Sequence, residues 1–315
     1  MERIPIAVAD ESLRPLRMLT AYTLSEAWGE DENEFSLKVG IRDAPMPGQY
    51  VVAYGTELGG RVTSVEPADS RGGGRLAVCS GPTWHGMLSK KVLMPPEGSD
   101  RPTWGGDAGE GLSWLIGQAS LGSVMRAEPC GVSVSHSFAR FEGVYSAMRG
   151  MLKACGMRLS LSASDGCVIA RAVPVAKASG GGALAVTPRL SSGCVNHLVC
   201  AGEGQNQERA VVHLYADSKG RVSGVQTLFG ADEVAELYDY SSADVDTLVE
   251  KGTERLLKMQ DFGSVEVEAR ENAGLSVGDL VTGRDEWLGI EVTAEIKKKI
   301  VKADGGSVSE SYEAG

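Results

Sequence analysis

The sequence predicts a mainly β protein with an α+β insertion: two β-barrel-like domains joined by a small α+β module. Three observations predict it. From Ile290 to Asp304 the residues alternate, with Ile290, Val292, Ala294, Ile296 and Ile300 on one side and Glu291, Thr293, Glu295, Lys297 and Lys299 on the other. A strand with one face on a core and one in water needs that period of two, whereas on a helix the same apolar residues would circle the axis. Glycine is abundant, at 41 of 315 residues, and aromatic residues make up only 6%, which favours turns and short strands over large helical cores. Finally, the pattern turns helical between Arg101 and Ala176 and then returns to alternation. A chain of this length holds about two domains. The expected divisions are a first β-barrel-like domain over 1–98, the α+β module over 99–177, and a second β-barrel-like domain over 178–315 with one helix and a flexible C-terminal tail.

In the first domain, Ile4–Val8 reads as a short strand and Ser36–Val39 alternates. Ala44-Pro45-Met46-Pro47-Gly48 is a turn, and Tyr50–Tyr54 is a continuous apolar strand. Leu58–Val65 and Arg75–Ser80 read as a hairpin around the loop Asp69-Ser70-Arg71-Gly72-Gly73-Gly74. Pro95-Pro96 cannot continue a ladder, because neither residue donates a backbone N–H, so a boundary is expected there.

In the module, Asp107-Ala108-Gly109-Glu110 resembles a capping box ahead of Leu112, Leu115 and Ile116 on one helical face. Within Ser137–Cys155, a second helix is marked by the stripe Val144, Met148, Met151, Leu152 and Cys155. Gly156 is placed to end it in the left-handed conformation. Arg158–Ser162 and Cys167–Ala172 form a hairpin around Ser164-Asp165-Gly166.

In the second domain, Ala178–Ala183 holds three glycines and reads as a linker. Val195–Ala201 and Ala210–Tyr215 are strands, and Val222–Leu228 is a weaker one. Ser242 is expected to cap a helix whose apolar face is Val245, Leu248, Val249, Gly252, Leu256 and Met259. Val265, Val267 and Ala269 mark the next strand, and Asn272-Ala273-Gly274 turns the chain. Val277–Thr282 pairs with the long Ile290 strand through Gly283–Glu286. The tail from Ala303 to Gly315 is polar and expected to fray.

The net charge of −11 argues against a general nucleic-acid binder, which carries a basic face. No run of 18 apolar residues exists, so no helical membrane span is expected. Met1–Ser12 carries Glu2, Asp10 and Glu11 and does not read as a secretory signal, so the chain is expected to be made and kept in a cytoplasm. The six cysteines are scattered without a C-x-x-C pair and read as small buried apolar residues.

Motifs for chemistry are weak. Cys194-x-x-His197-x-x-Cys200 is the one Cys/His cluster. On a strand its cysteines lie about 20 Å apart at about 3.3 Å per residue and His197 faces the other way, so no tetrahedral zinc site is expected. Gly202-Glu203-Gly204 precedes a strand and lacks the helix N-terminus a phosphate cradle needs. His85, His136, His197 and His213 lie outside any H-E-x-x-H motif, and no G-x-S-x-G elbow is present. No catalytic residue, cofactor or metal is assigned. Trp84, Trp104, Trp114 and Trp287 read as core or subunit-contact residues before a sugar groove.

Four stretches taken in order resemble the tail-hub, or baseplate-hub, proteins of siphovirus-type bacteriophages and prophages. They are Glu57–Val62 with the segment Gly86–Pro96; the helix at Val144–Leu152 and its hairpin; Val195–Gly204 with Arg209–Tyr215; and Gly278–Gly283 running into Ile290–Lys302. The resemblance spans the chain from about residue 30 onward.

This resemblance implies a structural tail-tip protein of the virion and no enzyme. It implies two β-barrel-like hub domains per chain, three chains in a ring, and DNA only passing through the channel. The implied partners are sister copies in a homotrimer, the distal tail protein, the tape-measure protein, and receptor-binding or fibre proteins. The subunit-interface candidates are Trp84, Val195, Val199, Trp287, Ile290, Val292 and Ile296. The alternatives are a tail-associated cell-wall hydrolase, which predicts a convergent acid–base group in a cleft, and a β-barrel binding module for peptide or glycan.

Overall fold

A computed structural model describes residues 4–69, 75–164, 166–180, 184–190, 194–260, 263–269, 273–287, 289–304 and 307–315. The chain forms two compact units. The larger comprises Met1–Val186, Val267–Thr282 and Thr293–Ala314; the smaller comprises Thr187–Glu266 and Gly283–Val292 with Gly315.

The larger unit is built on an antiparallel sheet in which Ser307–Ala314, Ile290–Asp304, Tyr22–Gly29, Glu34–Gly40, Arg75–Pro82 and Ser64–Asp69 lie side by side. Leu24, Phe35, Leu37, Val39, Cys79 and Ala303 point from it into one core, where they meet Ile6, Val8 and Val51. Those three belong to a second sheet ordered Pro15–Leu19, Ile6–Ala9, Tyr50–Val52 and Gly59–Arg61. The expected hairpin is present, but Ser64–Asp69 is the partner of Arg75–Pro82, and Gly59–Arg61 joins the second sheet instead. The residues connecting that hairpin, 70–74, lie outside the described residues. Among the described residues no sheet closes into a barrel: Pro15–Leu19 and Ser64–Asp69 stand at sheet edges.

Three helices lie in this unit: α1 (Trp84–Ser89), α2 (Ala108–Gln118) and α3 (Val144–Ala154). The Asp107 carboxylate caps α2, accepting from the backbone N–H groups of Gly109 and Glu110 at 2.8 and 3.1 Å. Those caps satisfy donors that the first turn leaves orphaned. The apolar stripe of α3 is buried at Val144, Met148, Met151 and Leu152, and Gly156 follows at φ +72°. The helix packs on the hairpin of Met157–Ser164 with Cys167–Pro174.

The long strand spans Ile290–Asp304, but its alternation breaks. Ile296 pairs with Ala314 and Lys298 with Glu313, so Lys297 is an extra, bulged residue. Before the bulge Ala294 and Ile296 face inward; after it Lys299, Val301 and Ala303 do. Ile300, expected on the core face, is therefore only half-buried. Gly29 sits against the bulge, where an added Cβ would lie 2.2 Å from the Lys297 carbonyl oxygen.

Two further expectations fail in this unit. The tail does not fray: Ser307–Ala314 is a strand, and Tyr312 is buried. Part of the glycine-rich linker is also structured, since Lys177–Ser179 pairs in parallel with Leu280–Thr282; residues 181–183 lie outside the described residues.

The smaller unit is a four-stranded sheet ordered Val222–Ser223, Val211–Ala216, His197–Ala201 and Ala235–Asp239. Helix α4 (Val245–Lys258) covers one face through Leu248 and Leu256, and its Gly252 approaches so closely that a Cβ would lie 2.5 Å from Cys200 Sγ. Its N-cap is Asp244, two residues beyond the expected Ser242, with the carboxylate accepting from Thr247 N–H at 2.9 Å. Val222–Leu228 is a strand only at Val222–Ser223.

Candidate functional site

The buried polar groups of the larger unit join distant segments. Asp279, fully buried, accepts from Arg158 Nε at 2.7 Å, Ala176 N–H at 2.8 Å and Ser276 N–H at 2.8 Å. Lys299 Nζ donates to Leu275 O at 2.9 Å, pairs with Glu310 at 2.9 Å, and lies over the Trp28 and Tyr312 rings. Each of these charges has compensating partners, as buried charges require. Glu26 accepts the Gly59 N–H, and burial pushes its carboxyl well above the ordinary value. His85 stacks flat on Trp28 at 5.3 Å, and burial lowers its pKa to about 3, so the ring is neutral.

On the sheet face away from α4, the smaller unit gathers His197, His213, Tyr215 and Glu233. His197 Nδ1 meets Glu233 Oε1 at 2.6 Å, and its Nε2 meets His213 Nδ1 at 2.8 Å. The Glu233 carboxylate accepts from His197 Nδ1–H, and His197 Nε2 and His213 Nδ1 share one hydrogen bond. Cys200 points to the α4 side, so the C-x-x-H-x-x-C residues do not converge. Among the described residues no group of three potential metal ligands comes together.

The larger unit also carries a groove of about 570 Å³. Met157, Leu159, Val175 and Val277 supply its apolar lining. The outer face of α3 forms one side, where Arg149 and Lys153 both hold Glu295, at 3.1 and 2.6 Å.

Of the expected interface residues, Trp84 and Ile296 are corrected to core positions: each is fully buried by its own chain. Trp84 is the first residue of buried helix α1, and Ile296 lies just before the bulge on the inward face. Val195, Val199, Ile290 and Val292 are half-buried. Trp287 is 98% exposed. Sequence reasoning missed Leu16, Met18, Ile41 and Met46, all exposed. Leu16 and Met18 lie on the edge strand Pro15–Leu19, and Arg17 Nη2 ties that strand to the Asp43 and Ala44 carbonyl oxygens at 3.1 and 2.9 Å. The spacing Leu16-x-Met18 was the available signal, since both residues fall on one face of a strand.

The sequence matches no protein-family profile and no curated protein. Solved structures do match. A tail protein from Neisseria meningitidis MC58 aligns over 100% of this chain and 97% of its own, at 12% identity and a TM-score of 0.54. The 43 kDa tail protein of prophage MuSo2 from Shewanella oneidensis aligns over 99% and 97%, at 12% identity and a TM-score of 0.53. Prophage tail protein gp18 from Listeria monocytogenes EGD-e aligns over 99% and 94%, at 14% identity and a TM-score of 0.51. The alignments take in the first thirty residues, where the sequence resemblance was weakest. The chain has the fold of phage and prophage tail proteins.

Proposed function

We propose that this chain is a structural tail protein of a phage or prophage, and specifically a tail-tip or baseplate hub. Three copies form a ring that links the distal tail protein and the tape-measure protein to the receptor-binding or fibre proteins. One observation carries the reading: the tail-protein fold extends over the whole chain and nearly the whole of its structural neighbours, with 100% and 97% covered in one case.

The division at 1–98, 99–177 and 178–315 belongs to this proposal, as do the two β-barrel-like hub domains, which sister copies would complete. The siphovirus assignment rests on the ordered stretches of sequence. Val195, Val199, Ile290, Val292 and Trp287 are the interface residues, joined by Leu16 and Met18 at a free sheet edge. Such edges expose unpaired backbone groups and recruit neighbouring chains. The site of action is the virion tail tip, after assembly in the host cytoplasm.

Light scattering of the full chain tests the ring. The expected mass is three times the chain's 33.1 kDa, with ring-shaped particles in electron micrographs. A chain that stays monomeric even with the distal tail protein added sinks the hub reading.

A further inference from the structure

We propose that His197 and His213 form a proton-operated clasp on the smaller unit: their contact survives one added proton and opens on the second, which releases the His213 ring to solvent. The clasp lies within that unit and does not depend on how copies assemble.

The two rings are held unequally. His197 Nδ1–H donates to Glu233 Oε1 at 2.6 Å, and its ring stacks on Tyr215 with centroids 4.5 Å apart. Its side chain is only 13% exposed. His213 is exposed, and its Nδ1 meets His197 Nε2 at 2.8 Å.

A ring nitrogen accepts a hydrogen bond only while it carries no proton. With both rings neutral, the hydrogen between them sits on His213 Nδ1 and points at His197 Nε2. A first added proton enters at His213 Nε2, and the Nδ1 proton of His213 passes to His197. His197 is then the imidazolium, with Nδ1–H on the Glu233 carboxylate and Nε2–H on His213 Nδ1, so the contact stays intact. A second proton has only His213 Nδ1 to occupy. Two N–H groups and two positive charges then face each other, neither nitrogen can accept, and like charges repel. The exposed ring is the one free to leave. His197 stays on Glu233 and Tyr215.

The neighbouring charges leave this balance to the pair and Glu233. By strand register, Tyr215 and Asp239 are the other ionisable groups on this face of the sheet among the described residues. Arg209 holds Asp239 at 2.5 Å, and Arg221 holds Asp217, just past the strand end, at 2.8 Å. Glu236 lies on the α4 side, where Arg255 holds it at 2.9 Å.

Histidine changes charge between about pH 5 and pH 8, and two interacting sites take up protons in steps that belong to the pair. NMR of the imidazole nitrogens in the full chain, labelled at histidine, follows both steps over that range. In the parent, His213 is expected to become an imidazolium about one pH unit lower than in His197→Phe, a roughly tenfold weaker hold on its proton. The ring-to-ring NOE between His197 and His213 is expected to persist through the first step and vanish at the second, with the backbone amide spectrum unchanged. His213→Asn changes an exposed residue and serves if His197→Phe does not fold: His197 is then expected to titrate in one step where the parent shows two. An NOE that persists with both rings charged overturns the clasp. So does a His213 titration identical in parent and His197→Phe, or a His197 curve that His213→Asn leaves unaltered.

Discussion

His85 lies between the rings of Trp28 and Tyr145, with centroids at 5.3 and 5.5 Å. Burial first, and the Arg149 charge second, lower its pKa from 6.5 to about 3. Between those values the unfolded chain binds a proton that the folded chain refuses. Stability therefore rises with pH across this window and is lost as pH falls below about 6.5. Replacing the ring by Phe keeps an aromatic stack and removes the titration. His85→Phe is expected to abolish a loss of about 2 kcal/mol that the parent suffers on going from pH 8 to pH 5. Urea titrations of both chains at the two pH values measure it, and parallel pH profiles would refute the assignment. Glu26 acts in the opposite sense. Burial raises its carboxyl well above 4.5, so its cost appears as pH rises through that range. Comparing parent and variant cancels this contribution. Glu26 also explains why Tyr22–Gly29 escaped the sequence reading. Tyr22, Leu24, Glu26 and Trp28 are all buried on one phase of the strand, and a carboxylate in that phase disguises it.

The hairpin of Ile290–Asp304 with Ser307–Ala314 shows what pattern reasoning detects and where it stops. The long strand was legible, because the alternation from Ile290 through Ile296 admits one secondary structure. The bulge at Lys297 was passed over, although Val301 and Ala303 fall on the phase opposite to Ile290–Ile296, the mark that one inserted residue leaves. The tail was misread for a related reason: Ser307, Ser309, Ser311 and Glu313 face solvent and dominate the composition, while Tyr312 alone is buried. Composition treats Tyr312 and Glu310 as two residues among many, yet they close over Lys299. Ending the chain after Asp304 would remove the Glu310 carboxylate and the Tyr312 ring from that ammonium together with the ladder that Ser307–Ala314 forms on the long strand. The expected loss is about 3–5 kcal/mol of stability, the penalty for breaking a buried pair. A freely fraying tail would cost almost nothing, so the denaturation midpoint of the shortened chain decides between the two pictures.

At the scale of the molecule, the proposed ring would carry DNA through a channel, and the net charge of −11 predicts that its wall repels that DNA. An acidic wall repels phosphates and leaves no counterion release to drive binding. The full chain is expected not to retard duplex DNA at about 10 µM protein and about 0.15 M salt. Retardation under those conditions would overturn the repulsive-channel reading.

Strand periodicity, the helix stripes and the capping residue of α2 are local, and they sufficed for a mainly β chain with an α+β insertion. The groove was not legible. Glu30, Met157 and Val277 come from three separated segments, and no local spacing brings them together. Which apolar residues become core and which remain surface, as with Trp84 against Trp287, was settled only by tertiary packing. Hydrophobicity states that a side chain avoids water, and only the folded chain decides whether its own neighbours can cover it.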